Sequence, residues 1–140
     1  MTEQLPLEQI VAMISQLLGN YEAQAFEQSG FSELSVRQWL YLETIAKLGQ
    51  PTFSELAEKL EVTKPSVTTL VAKLIRMGYV KKLQSNQDHR VYHIVLDAKG
   101  EQFTEMHANL HRLIAQHLTA NLSATETQQL SALLQKIVLG

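Results

Sequence analysis

Lys64, Pro65, Ser66, Thr68, Thr69, Lys73 and Arg76 crowd into a stretch that carries no acid anywhere between Val62 and Gln87. Short and hydroxyl-bearing groups at its start, with longer cations further on, suit a helix laid in the major groove of duplex DNA. The backbone can then approach the base edges, the hydroxyls can bond to them, and the cations meet phosphates. A second cluster, Asp88-His89-Arg90, follows at once. A carboxylate two residues before an arginine can orient the guanidinium by a charge-assisted bond, and an oriented arginine can enter a minor groove. The plain alternatives are a solvated amphipathic helix and an ordinary polar turn. The first of these calls for Glu and Lys mixed at i and i+4, whereas this stretch holds bases alone.

Other chemistries find less support. The chain has no cysteine, which removes disulfides, thiolate metal sites and thiol nucleophiles together. There is no nucleophile elbow, phosphate loop, HExxH helix or pair of catalytic acids, and Ser123 and Ser131 lack a His/Asp arrangement, so an enzyme is not expected. His107 and His111 stand one helical turn apart, a spacing that can bring two imidazoles to one metal, but His117 is off that face. Two ligands do not make a site, and neither a metal nor a cofactor is expected. Tyr21, Trp39 and Tyr41 are candidates for lining a small-molecule effector pocket where the terminal helices meet the middle segment; core packing is the competing reading of each.

The elements that must position these residues are legible in the periodicity. Leu7, Ile10, Val11, Ile14, Leu17, Leu18 and Tyr21 recur at helical spacing from Leu5 to about Glu27. Ser35 with Gln38 forms a capping box opening a second helix, whose residues Val36, Trp39, Leu40, Tyr41, Leu42, Ile45 and Leu48 surround it and predict burial on most sides. Gly49 and Pro51 end that helix, and Thr52 with Glu55 predicts another capping box ahead of FSELAEKL. After the short link Glu61-Val62, Thr63 caps a fourth helix that tolerates Pro65 in its first turn and stops at Gly78. Two helices so joined have the layout of a helix-turn-helix, with Ala57 small enough to admit the second helix and Val67, Leu70, Val71 and Leu74 forming its inward stripe.

The period then changes. YVKKLQ and RVYHIVL, separated by Ser85-Asn86-Gln87-Asp88, predict a β-hairpin from which Lys81, Lys82 and Arg90 project. Asp97 caps a long helix through Phe103, Met106, Leu110, Leu113, Ile114 and Leu118, and Ser123 with Glu126 caps a last one. The expected fold is therefore mainly α with a small β-hairpin wing. One domain of 140 residues would comprise a winged helix-turn-helix at about 35–97, flanked by dimerisation helices at about 5–34 and 98–140.

Charge is local in this chain. Its 12 bases and 14 acids give a net charge of −2, yet Val62 to Leu96 carries +5 and the remainder −7. A basic island in an acidic chain suits a polyanion. The amino-terminal MTEQLPLEQIV has acids where an export signal needs bases, and no window approaches a membrane span, so a cytoplasmic protein with no membrane partner is expected.

The run TFSELAEKLEVTKPSVTTLVAKLIRMGYV, followed by NQDHRVYHIVLDAKG, resembles the MarR (multiple antibiotic resistance regulator) family of winged helix-turn-helix repressors. The resemblance follows the element order over nearly the whole chain, with residue-level motifs from about Ser35 to Gly100. Its most specific part is Asp88-x-Arg90 ahead of Leu96-Asp97-x-x-Gly100, and it implies that Asp88 and Arg90 orient and insert the wing. The family's frequent Val-Thr-Arg reads Val67-Thr68-Thr69 here, which implies that different bases are read. A zinc-sensing branch uses histidines on the long helix with acid or histidine partners on the second helix, where this chain has Trp39-Leu40, which cannot ligate. A branch that represses fatty-acid synthesis shares the Val-Thr-Thr run and the paired histidines, which implies a lipid-derived effector; a phenolic one is the alternative.

The resemblance also implies a homodimer whose terminal helices interlock, with two recognition helices in successive major grooves of double-stranded DNA. Two-fold symmetry would then require a pseudo-palindromic operator with half-sites about 10 bp apart. The reading from another class is a winged-helix module that turns its basic face to an acidic protein. Preference for one duplex sequence over random DNA separates the two.

Overall fold

The computed structural model describes residues 3–140. Its elements are α1 (Leu7–Ser29), α2 (Val36–Leu48), α3 (Phe53–Leu60), α4 (Lys64–Arg76), β1 (Val80–Gln84), β2 (Tyr92–Leu96), α5 (Ala98–Thr119) and α6 (Ala124–Leu139). Two compact units result, one of Gln24–Ala108 and one of Asn109–Gly140 with the chain up to Ala23.

Helix starts follow the expected chemistry with two exceptions. Ser35 and Ser123 close full capping boxes with Gln38 and Glu126. Thr63 Oγ1 accepts from the Ser66 N–H at 3.3 Å, and Thr52 Oγ1 from the Glu55 N–H at 3.1 Å. The predicted Thr52–Glu55 box is only half made. Glu55 does not reach back to the Thr52 backbone, because the Thr52 hydroxyl still has a proton to give and donates it to the Glu55 carboxylate at 3.1 Å. The predicted Asp97 cap of α5 is not made either: its carboxylate accepts only from the adjoining Ala98 N–H at 2.9 Å, short of the second or third helical N–H that a cap takes.

The unit Gln24–Ala108 is a winged helix-turn-helix. Its core joins Leu42 and Ile45 of α2, Leu56 of α3, Val67, Val71 and Leu74 of α4, Ile94 of β2 and Phe103 of α5. Leu70, expected in the same stripe, is only half-buried. Burial of α2 is narrower than expected. Its inward face is Gln38, Tyr41, Leu42, Thr44 and Ile45, whereas Val36, Leu40 and Leu48 are exposed, because only one side of the helix packs within this unit.

The link from α3 to α4 turns at Glu61, the one non-glycine residue with positive φ among those described (φ 56°, ψ 44°). The Val62 N–H then closes back on the Ala57 carbonyl at 3.0 Å.

Strands β1 and β2 pair antiparallel from Val80 opposite Leu96 to Gln84 opposite Tyr92. The hairpin is tied to the start of α3 by the Ile94 N–H to the Pro51 carbonyl at 2.8 Å, and by His93 Nδ1 against the Gln50 carbonyl at 2.7 Å. At its base the Asp97 N–H donates to the Tyr79 carbonyl at 2.9 Å. Gly100 packs on that same carbonyl so closely that a Cβ would lie 2.2 Å from the oxygen. The Leu96-Asp97-x-x-Gly100 motif is thus the joint between wing and α5.

The other unit has little interior of its own. Leu7, Val11, Met13, Leu113, Leu133, Ile137, Val138 and Leu139 are all more than half exposed, and α6 buries no residue. No helix among the described residues is long and apolar enough to cross a membrane.

Candidate nucleic-acid interface

Val67, Val71 and Leu74 are fully buried, and each such side chain is worth about 1.5–3 kcal/mol in burial. Together they hold α4 in one rotation about its axis. That rotation turns Lys64, Pro65, Thr68, Thr69, Lys73 and Arg76 to solvent, with Ser66 half-buried beside the cap. The hydroxyls of Thr68 and Thr69 each donate to the carbonyl one turn back, of Lys64 and Pro65, at 3.1 Å. Their oxygens keep lone pairs, so toward a base edge they serve as acceptors, suited to the amino groups of adenine or cytosine.

The wing tip is ordered by its own hydrogen bonds. The Ser85 N–H donates to the Val91 carbonyl at 2.8 Å and the Val91 N–H to the Asp88 carbonyl at 2.9 Å, while Gln84 Nε2 reaches the His89 carbonyl at 2.8 Å. Asp88 takes three bonds from Arg90: from the backbone N–H at 3.0 Å, from Nε at 3.1 Å and from Nη2 at 3.2 Å. The guanidinium beside it, and then the Arg90 backbone N–H, hold the Asp88 carboxyl below the usual carboxylate range. The Arg90 side chain is 90% exposed, so an outward-pointing guanidinium is held in one orientation by its neighbour. His89 sits exposed at the tip.

Two clefts flank α4. One, of about 510 Å³, lies between α4 and the start of α2 and is lined by Arg37, Ser66, Thr69 and Lys73 among others. The other, of about 350 Å³, lies between α4, the start of α3 and the wing, and includes Lys64, Thr68, Lys82 and Arg90. Among the described residues only Arg90 of these cations is paired with an acid.

Arg37 is the residue that sequence reasoning missed. The basic island Val62–Leu96 is contiguous in sequence, and Arg37 joins it only through the packing of α2 beside α4. The available signal was a base in the first turn after the Ser35 cap with no acid nearby on that helix face.

Of the effector candidates, Trp39 and Tyr41 lie on different sides of α2. Trp39 stacks on Phe26 with ring centroids 4.3 Å apart, and Tyr41 is fully within the core. Two positions apart on α2, they point about 160° apart. Tyr21 belongs to the other unit, where its hydroxyl meets His117 Nδ1 at 2.9 Å.

The second helix does supply an acid to the long helix, contrary to expectation. Glu43, one turn beyond Trp39 and on the same face, bonds the buried His107 through Nδ1. No group of three or more His, Cys, Asp or Glu suited to a metal occurs among the described residues.

A model of the MarR family matches residues 34–92. The multiple antibiotic resistance protein MarR of Salmonella typhimurium is 28% identical over 141 residues, covering 97% of this chain and 93% of that protein. The similarity to the MarR family model centres on the winged helix-turn-helix segment. The HTH-type transcriptional regulator FarR of Neisseria gonorrhoeae is 27% identical over 74 residues, 53% of this chain, which spans about half (51%) of FarR's length. The solved structure of Streptococcus pneumoniae FabT in complex with DNA matches with a TM-score of 0.78 at 26% identity, covering 94% of this chain and 92% of FabT. FarR is named as a transcriptional regulator.

Proposed function

We propose that this chain is a MarR-family, sequence-specific double-stranded DNA-binding regulator that represses transcription as a homodimer on a pseudo-palindromic operator. The observation that carries the reading is the outward face of α4, acid-free and held in place by the buried stripe behind it. Pro65, Ser66, Thr68 and Thr69 approach the base edges, Lys64, Lys73 and Arg76 take phosphates, and the wing's Asp88, His89 and Arg90 serve the adjacent minor groove. A DNA complex of the structural relative FabT supports the same polyanion.

Dimerisation is supported by the apolar residues left exposed on α1, α5 and α6. So many large apolar residues left exposed mark an association site, and a second copy offers the same residues by symmetry. Two-fold symmetry sets the half-sites about 10 bp apart, centre to centre. A small-molecule effector, lipid-derived or phenolic, releases the repressor through its different affinity for DNA-competent and incompetent dimers.

Selection of bound duplexes from a random pool at physiological salt, then titration of the winner against shuffled DNA, tests this reading. The winner is expected to bind about 10³-fold or more tightly than the shuffled duplex. Equal binding to both would leave the basic face to an acidic protein partner and overturn the proposal.

A further inference from the structure

The two clefts beside α4 differ in which edge of the helix they occupy. At 100° per residue, Ser66, Thr69 and Lys73 centre one cleft roughly 150° around the helix from Lys64 and Thr68, which line the other. The exposed face lies on the arc between them. Each cleft also draws a cation from an element outside the helix-turn-helix: Arg37 from α2 on one side and Lys82 from β1 on the other. Arg37 and Lys73 have no acid partner among the described residues. Lys82 is steadied between two rings, its Nζ 5.9 Å from the centroid of Phe53 and 5.7 Å from that of Tyr92.

An α-helix with its side chains is about 10–12 Å across, and the major groove is about 12 Å wide. A helix seated in that groove therefore brings its two edges to the phosphates of opposite strands. We infer that the clefts are paired phosphate sites: Arg37 with Lys73 holds a backbone phosphate of one strand, and Lys82 with Lys64 holds one of the other, within the same half-site. This rests on the DNA-binding reading above and adds to it Arg37, from outside the motif, together with a strand for each cation. Two ligands from separate elements on each side fix the depth and tilt of α4, which contacts from α4 alone would leave free.

The test uses the full chain with its selected duplex and the variants Arg37→Gln and Lys82→Gln. Both positions are exposed, and an unchanged urea midpoint verifies the fold. Each variant is expected to weaken operator and shuffled duplex alike and to lower the magnitude of the salt slope by about 0.9. Neutral methylphosphonates placed singly along both strands of one half-site then locate the contacts. The phosphate whose neutralisation ceases to matter in Arg37→Gln is expected on one strand, and that for Lys82→Gln on the other. An unchanged slope in Arg37→Gln, or both phosphates on one strand, overturns the paired sites while leaving sequence-specific binding standing. A wild-type chain that does not prefer its selected duplex overturns both readings. Millimolar inorganic phosphate at constant ionic strength separates the other source of the same chemistry. Displacement of the duplex from wild type but not from Arg37→Gln would mark a site for free phosphate and refute the strand assignment.

Discussion

Replacing Gly100 by alanine tests the joint that holds the wing. The added Cβ would stand 2.2 Å from the Tyr79 oxygen, 3.2 Å from its carbonyl carbon and 3.1 Å from Leu96 Cδ2. Ordinary contact begins near 3.4 Å, so backbone must move by roughly 1 Å, and the atom in the way also accepts the Asp97 N–H. Overpacking of this kind costs up to about 3 kcal/mol, and loss of the hydrogen bond adds about 1 kcal/mol. The better helix propensity of alanine returns about 1 kcal/mol. The expected net loss is about 2–3 kcal/mol, read as a urea midpoint lowered by about 1 M with the slope unchanged. Protomer concentration must be held constant, because association contributes to the apparent stability. Glu101→Ala places alanine at the next, exposed position and is expected to change stability by no more than about 1 kcal/mol. Operator affinity should fall in the Gly100 variant even where it remains folded, since the wing moves with Tyr79. A midpoint at or above that of wild type would refute the close approach and the role given to the motif.

Arg90→Ala is expected to lower the magnitude of the salt slope of DNA binding by about 0.9. Asp88→Ala keeps every cation and should leave that slope undiminished, yet weaken binding about 3- to 10-fold because the guanidinium is then ordered only on binding; equal or tighter binding would refute preorganisation. Glu33 is held below the usual carboxylate range by its bond from Lys99 and then from Tyr79, Asp88 by Arg90, and Glu126 by its bonds from Ser123. With folded values lowered, the stability they supply is present above the ordinary carboxylate range and lost as pH falls through the folded values, so urea midpoints should drop below about pH 4, and less steeply in Glu33→Gln. Tyr79 is shifted the opposite way, upward, by burial and by its bond to Glu33. Its contribution should hold below about pH 10 and fade above, an alkaline loss that Tyr79→Phe would abolish. Glu61→Val places a β-branched residue at φ 56° and should cost about 1–2 kcal/mol in a urea titration, whereas unchanged stability would show that the turn relaxes.

Much of the fold was legible because its signals are local. The Ser35, Thr63 and Ser123 caps, the stop at Gly49 and the switch to a hairpin after Gly78 each depend on a few neighbouring residues. The Asp88–Arg90 pair was legible for the same reason, since two residues of separation let one side chain reach the other whatever surrounds them. Reasoning failed where a partner lies far along the chain. The Glu43–His107 bond spans α2 and α5, and the Thr52 hydroxyl had two local partners between which spacing cannot choose. The broad apolar girth of α2 promised burial on most sides, but apolar character says only that a residue can be buried, and Val36 and Leu40 meet nothing in this unit.

Sequence alone determined the winged helix-turn-helix, the outward face of α4 and the local excess of positive charge, because periodicity, capping and charge order are properties of neighbours. Only the tertiary structure decided which cations share a cleft. Arg37 lies 36 positions from Lys73 and Lys82 lies 18 from Lys64, and each meets its companion through the packing of α2 and the hairpin on either side of α4. It also decided why residue 100 is glycine, since a steric demand made by the Tyr79 carbonyl leaves no trace in the residues adjoining it.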